Sequence, residues 1–287
     1  GDAAVREDER TSMIFYFTAT GNCRYVADQL AEKLGDEARS IPQEMRRAGE
    51  LSYAGETIGI VYPIYGHMMP RMVREFVERA KFDTPYFFLV LTYGCRHANA
   101  VEIAQEQMRA VSIEPAYIST LLMVDNWLPN FDMNEQRAME PGKRIGENLA
   151  RIGDDVAGRR CWIEPVSDVD REAHAQFMSR GIGFEPADLG NFLCIDPQAC
   201  TGCGICARVC PAGCIHVEEG AAVRDALAGQ GCNACLACIH ACANGAISLP
   251  MGGSEPASSF PQQPCDVGAD HAGERNGRIA RSWRNVW

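Results

Sequence analysis

Apolar positions in the first 160 or so residues follow two alternating rhythms. Short, nearly continuous runs at Ser12 to Phe17, Thr57 to Tyr62, Tyr86 to Thr92 and Tyr117 to Val124 are rich in aromatic and β-branched residues. They are too short for helices and predict buried strands. Between them, Arg24 to Leu34, Pro70 to Ala80 and Ala98 to Val111 carry apolar residues at helical spacing. A short strand near Glu37 to Ile41 completes a set of five. Strands alternating with helices predict an α/β fold, a doubly wound five-stranded parallel sheet covered on both faces. Beyond it, Gln136 to about Val156 reads as helix, and Pro141-Gly142 places its start. Cys161 and Trp162 then open an irregular linker with a helix over Arg171 to Arg180 and a glycine-rich Gly181-Ile182-Gly183. Asn191 to Asp196 predicts one more strand.

In open parallel sheets ligands sit beyond the strand C-termini, where the strand order switches. The loops there are Thr18–Cys23, Pro63–Met69, Thr92–His97 and Asp125–Asp132. The first, Thr18-Ala19-Thr20-Gly21-Asn22-Cys23, joins a strand to a helix N-terminus, where amides and the helix dipole favour an anion. It has no Gly-x-x-x-x-Gly-Lys and no Gly-x-Gly-x-x-Gly, so neither a nucleoside triphosphatase loop nor a dinucleotide fold is supported. Hydroxyls of Thr18 and Thr20 and the amide of Asn22 stand in for a lysine. The alternative is an ordinary strand–helix turn.

This loop resembles the FMN phosphate loop of flavodoxins, Thr-x-Thr-Gly-Asn followed by Ser or Thr. Thr18 to Asn22 match, and Cys23 departs, a thiol being a weaker donor than a hydroxyl. The resemblance implies that Pro63-Ile64-Tyr65-Gly66 covers one face of the flavin ring. Thr92-Tyr93-Gly94 then covers the other or meets the pyrimidine edge, and Asn126 and Trp127 line the mouth. Tyr65 and Tyr93 at such loops either contact a ligand or simply pack. His67 and His97 read as structural or surface histidines, and Cys95 as a free thiol.

A second signal lies further on. Cys200-x-x-Cys203-x-x-Cys206-x-x-x-Cys210-Pro211 is repeated 32 residues later as Cys232-x-x-Cys235-x-x-Cys238-x-x-x-Cys242-Ala243. Gly213 and Ile215 are echoed by Gly245 and Ile247, as two halves about a pseudo-two-fold axis would require. Three thiolates two residues apart wrap one loop around an iron–sulfur cubane, and the fourth ligand must come from elsewhere. The spacing resembles that of two-cluster ferredoxins, in which the fourth cysteine of each run serves the other cluster. That resemblance assigns Cys200, Cys203, Cys206 and Cys242 to one [4Fe–4S] centre. It assigns Cys232, Cys235, Cys238 and Cys210 to the other. Zinc, usually held by two separated pairs, does not call for the third cysteine of each run, and disulfides call for an oxidising compartment. Ala243 in place of a proline loosens one turn without removing a ligand. Cys194 and Cys214 lie outside the repeated ligands and read as small core residues.

Composition narrows the setting. The chain has 287 residues, 46% of them hydrophobic, with a formal charge of −11 and 14 cysteines. No apolar run nears the roughly 18 residues of a membrane span. The charged start, Gly1 to Arg10, is not a secretory signal, so the cysteines read as cytoplasmic redox or metal chemistry. The negative charge disfavours nucleic acid as a partner. Ser254 to Gly273 reads as a loose tail, and the Arg- and Trp-bearing end to Trp287 as either a docking segment or a solvated one.

Loop and cysteine repeat together resemble the flavodoxin–ferredoxin fusion proteins of EFR type. The Tyr62–Gly66 loop and Asp125-Asn126 are also similar. The resemblance implies a flavodoxin-like FMN-binding domain at 11–160 and a linker with a helix at 161–190. It places a small α+β bacterial-type 2[4Fe-4S] ferredoxin domain at 191–250 and a tail at 251–287. The implied cofactors are FMN and two [4Fe-4S] clusters. The implied activity is electron transfer among a redox partner protein, the clusters and FMN. A flavin-dependent reductase of a small-molecule acceptor is the alternative, and a zinc-stabilised binding module a second.

Overall fold

The computed structural model describes residues 12–179, 190, 192–225 and 231–249. The expected loose N-terminus, the Gly181–Gly183 stretch and the tail lie outside the described residues. In chain order the first part holds β1 (Ser12–Tyr16), α1 (Asn22–Leu34), β2 (Ala38–Ser40), α2 (Ile41–Glu44), β3 (Leu51–Ala54) and β4 (Thr57–Pro63). Then come α3 (Arg71–Arg79), β5 (Ala80–Asp83), β6 (Phe87–Tyr93), α4 (Ala100–Ala110), β7 (Tyr117–Leu122), α5 (Met133–Met139), α6 (Ile145–Ala157), β8 (Trp162–Ile163) and α7 (Asp168–Ser179).

The main sheet has six strands in the order β2-β1-β4-β6-β7-β8, every pairing parallel. Central strands of a sheet covered on both sides must be apolar at every position. The first six residues of both β4 and β6 are buried accordingly. Their side chains alternate between two cores. Ile58, Ile60, Tyr62, Leu89 and Leu91 meet Val73 and Phe76 of α3 and Val101 and Met108 of α4. Val61, Phe88 and Val90 face Val26 and Leu30 of α1 and Leu149 and Ile152 of α6. The chain runs from β1 to β2 on one side and returns to β4 on the other. The switch point therefore falls between β1 and β4, and their outgoing loops splay apart there.

The structure differs from the expected five strands in three places. Trp162–Ile163 pairs with Tyr117 and Ile118 as a sixth, edge strand, so the stretch expected to be linker from 161 begins inside the sheet. Two residues carry too little pattern to announce a strand. Leu51–Ala54 and Ala80–Asp83 form a separate parallel pair that adds Leu51 and Tyr53 to the first core. The helix expected to start at Pro141-Gly142 and run to about Val156 starts at Ile145 as α6, after a 3₁₀ turn over Glu140–Lys143 that holds the proline, and the helical stretch before it is a separate helix, α5. Asp132 caps α5 by accepting from the amides of Asn134 and Glu135 at 2.8 and 3.0 Å.

The cysteine-bearing part holds β9 (Cys194–Ile195), α8 (Ile205–Val209), β10 (Ile215–Glu218), β11 (Ala221–Arg224), α9 (Ala237–Ala241) and β12 (Ile247–Ser248). β9 pairs antiparallel with β12, β10 with β11, and the two helices pack on each other. The repeat is visible in the backbone. Gly202, Gly204 and Gly213 have φ of 66°, 71° and 66°; Ala234, Leu236 and Gly245, 32 residues on, have 49°, 61° and 62°. Cys214 is buried as expected, whereas Cys194 is exposed, because its two-residue strand lies at the surface.

Candidate cofactor site

The loops beyond β1, β4, β6 and β7 enclose a cavity of about 440 Å³, in the range of small-molecule and cofactor pockets. Every flavin-site candidate from the sequence lines it except Gly21. Thr18, Ala19, Thr20, Asn22 and Cys23 come from the first loop, and Pro63, Ile64, Tyr65 and Gly66 from the second. Thr92, Tyr93 and Gly94 come from the third, and Asn126 and Trp127 from the fourth.

Gly21 explains the first loop. It precedes α1 with φ 102°, a left-handed conformation that glycine adopts without strain. The Gly21 amide donates to Thr18 Oγ1 at 3.1 Å, and the Gly21 carbonyl accepts from the Tyr25 amide at 2.9 Å. Side chains hold the loop to the one after β7. Asn22 Nδ2 donates to the Val124 carbonyl at 2.9 Å, and Asn126 Nδ2 to Thr20 Oγ1. No side chain caps α1 and no acid stands in its first turn. Its leading amides are thus available to an anion, which the helix dipole favours. Cys23 is buried with its Sγ 3.1 Å from Thr92 Oγ1. Burial pushes its thiol up to about 12, so it contributes no charge to the loop.

Gly94 and Asp125 set the far wall. A methyl group at Gly94 would stand 2.3 Å from Asp125 Cβ and 2.4 Å from its Cα. Asp125 accepts from the Trp127 amide at 2.9 Å, and its own amide donates to Gln136 Oε1 at 3.1 Å. Burial raises the Asp125 pKa, opposed by the Trp127 amide and by Lys143. Lys143 is itself buried and donates to the Gly94 carbonyl at 2.8 Å.

The cysteine-bearing part closes the cavity. Asn233 and Ala234, the residues between Cys232 and Cys235, belong to its lining. The docking is specific. Met72 N donates to Asn233 Oδ1 at 2.9 Å, Arg71 to the Cys232 carbonyl at 3.0 Å, and Arg46 to the Pro211 carbonyl at 2.8 Å. His240 Nε2 lies 2.8 Å from the Asn126 carbonyl, which can only accept, so this nitrogen carries the proton. Cys235 and Tyr65 both pack against the first core of the sheet. Burial, then the thiols Cys235, Cys23 and Cys232, hold the Tyr65 hydroxyl well above the ordinary tyrosine range. Cys203, the counterpart of Cys235 in the repeat, is exposed.

Among the candidate ligands, Cys210 lies within electrostatic reach of Cys232, Cys235 and Cys238. Cys200 and Cys203 are likewise close to Cys206, and Cys200, Cys206 and Cys242 share one apolar cluster. Backbone amides point at the sulfurs. Gly202 N and Ala222 N approach Cys200 Sγ at 3.5 and 3.3 Å, and Ala234 N approaches Cys232 Sγ at 3.4 Å. Cys214 N and Ala246 N approach Cys210 and Cys242 at 3.3 Å each. Such donors lower the charge on ligand sulfurs and tune metal-centre potentials. Among the described residues no three His, Cys, Asp or Glu side chains sit close enough to hold one lone metal ion.

Sequence reasoning missed Asn233, Ala234, His240, Arg96 and Phe177 as participants. Ala234 had a signal. Cys-Asn-Ala-Cys-Leu-Ala-Cys in the second run faces Cys-Thr-Gly-Cys-Gly-Ile-Cys in the first. Side chains replacing glycine at left-handed positions mark a loop that is packed against something. Phe177 had none, since α7 buries no residue. That helix is held by Arg171, bonded to Glu102 at 2.7 to 3.2 Å, and by His174, whose Nδ1 is 3.1 Å from Nδ1 of His67.

His67 faces His174 from α7 and Arg96 and His97 from the loop after β6. Burial first, then His174, Arg96 and His97, depress its pKa to about 4. In the unfolded chain the same imidazole takes a proton near pH 6.5. The unfolded state binds more protons between those values, so the stability of this corner falls as pH drops from about 6.5 to about 4. We expect the protection factors of amides in α7, that is, their exchange rates divided into the intrinsic rates at each pH, to fall as pH drops across that window, by up to about tenfold per pH unit. Replacing His67 by Leu should flatten the dependence, and a flat profile in the unsubstituted chain would contradict this reading.

The flavodoxin domain family matches residues 13–116 and the 4Fe-4S binding domain family residues 193–216. No curated protein matches the chain. Among solved structures, a Bacteroides uniformis protein described as a flavoprotein is 18% identical over 45% of this chain and 96% of its own, with a TM-score of 0.31. The NAD(P)H:quinone oxidoreductase from Methanothermobacter marburgensis is 12% identical over 50% and 95%, with a TM-score of 0.32. The Trp repressor binding protein from Bacillus subtilis is 10% identical over 51% and 97%, with a TM-score of 0.31. Likenesses this distant say nothing of what the chain does. Among the described residues no helix is long and apolar enough to cross a membrane.

Proposed function

We propose that this chain, which joins a flavodoxin domain to a 4Fe-4S binding domain, passes electrons between two [4Fe–4S] clusters and an FMN seated in the cavity. The observation that carries this is the shared wall: residues between two candidate cluster ligands line the same cavity as the flavodoxin-type loops. Cubanes move single electrons and a flavin takes one or two, so the pairing converts between one-electron and two-electron steps. Thr18 to Asn22 and the leading amides of α1 would take the phosphate. Tyr65, Tyr93 and Trp127 would flank the ring, with Gly66 and Gly94 leaving room beside it. Cys232, Cys235, Cys238 and Cys210 would hold the cluster beside the cavity. Cys200, Cys203, Cys206 and Cys242 would hold the outer one, where the exposed Cys203 offers a redox partner protein its approach.

The phosphate loop is tested by comparing FMN with riboflavin on flavin-depleted protein. FMN is expected to bind much the tighter. Thr20→Ala should weaken FMN by roughly 10- to 100-fold, the value of a hydrogen bond to a charged group, and leave riboflavin nearly unchanged. Equal affinity for the two flavins would remove the loop from the phosphate.

A further inference from the structure

The cavity has a second end that the flavin reading does not use. Arg96 lines it, on the loop after β6. In the sheet β4 lies between β6 and β1, so this loop starts two strand spacings, about 10 Å, from the phosphate loop. Arg96 is therefore poorly placed to serve the phosphate. Among the described residues Asp125 is the one acid lining the cavity. Its carboxylate accepts from the Trp127 amide and lies in the field of Lys143. No carboxylate of the described lining is left over for Arg96. The walls here are aromatic. Phe177 reaches the cavity from α7, its ring 4.6 Å from that of His67, which lines the same end. α7 buries no residue of its own yet places Phe177 in the cavity wall.

A guanidinium that meets no carboxylate among the described residues, in a half-enclosed, aromatic-walled space, suits a flat anion, because its planar fork matches a carboxylate. We propose that this end of the cavity binds a planar, carboxylate-bearing small molecule, with Arg96 on the carboxylate and Phe177 over its face. The proposal rests on FMN occupying the phosphate-loop end, and it names the acceptor class that the reductase alternative would need.

The test uses the full chain loaded with FMN, with benzoate and its neutral counterpart benzamide as probes. Binding is read from the shift in flavin absorption and by calorimetry. Benzoate is expected to bind at least tenfold tighter than benzamide. Arg96→Gln should erase that preference with FMN content unchanged, and Phe177→Ala should weaken both probes alike. Equal binding of the two probes would overturn the proposal, as would a preference that survives Arg96→Gln. Loss of FMN in Arg96→Gln would also overturn it, by assigning Arg96 to the flavin. Failure of the flavin reading itself would show separately, as an unsubstituted chain that takes up no FMN before any probe is added.

Discussion

In a Cys235→Ser chain, electrons from a one-electron donor protein are expected to reduce the outer cluster and stall there. Cys235 is a candidate ligand of the cluster beside the cavity, and it packs against the core that also carries Tyr65. Losing outer-shell partners of metal ligands alone costs 10- to 100-fold, so losing a ligand should slow flavin reduction at least about 100-fold. FMN should stay bound, because none of the phosphate loop is touched. Stopped-flow absorbance separates the slow flavin phase from the fast iron–sulfur phase. The matching Cys203→Ser change should instead slow the first step, from donor to outer cluster, because Cys203 is the exposed counterpart. If both substitutions slowed the same step, the two clusters would not be in series.

Gly94→Ala should strip the chain of most of its flavin without unfolding it. The added methyl would fall 2.3 to 2.4 Å from Asp125, two of those contacts being with Cβ and Cα, so rotating a side chain cannot relieve them. The loops after β6 and β7 must separate, and they carry Tyr93 and Trp127 in the cavity wall. Overpacking of this kind costs about 1–3 kcal/mol, which would weaken FMN roughly 5- to 150-fold if the strain is released at the cavity. The cores on both faces of the sheet are untouched. The urea midpoint of the flavin-free chain should therefore move little while the FMN dissociation constant rises. A large loss of stability with unchanged flavin affinity would place the strain in the sheet instead.

Much of this architecture could be read from the chain because its signals are local. β4 and β6 are buried on both faces, so their runs are apolar without interruption, and the loop chemistry at Thr18–Asn22 comes directly after another such run. The cysteine repeat is local as well. What stayed hidden depends on contacts distant in sequence. The edge strand at Trp162–Ile163 exists because Tyr117 and Ile118 offer it a partner. The closing of the cavity by Asn233 depends on Met72, 161 residues away. The role of Phe177 depends on where α7 comes to rest. The repeat did hold an unread clue at the matching positions Gly204 and Leu236. Both are left-handed, yet the second carries a large apolar side chain that is buried. A pseudo-symmetric pair that differs in this way is one whose two loops meet different surroundings.

The central claim is that two iron–sulfur clusters and one flavin share this chain with a cluster beside the flavin. Anaerobically purified full-length protein, assayed for iron, sulfide and flavin and followed by EPR during reductive titration, tests it most directly. The expected result is about eight irons, as many sulfides and one FMN per chain, with cluster signals broadened by a neighbouring paramagnet. One or two zinc ions in place of iron, or a chain that carries clusters and takes no flavin, would contradict it.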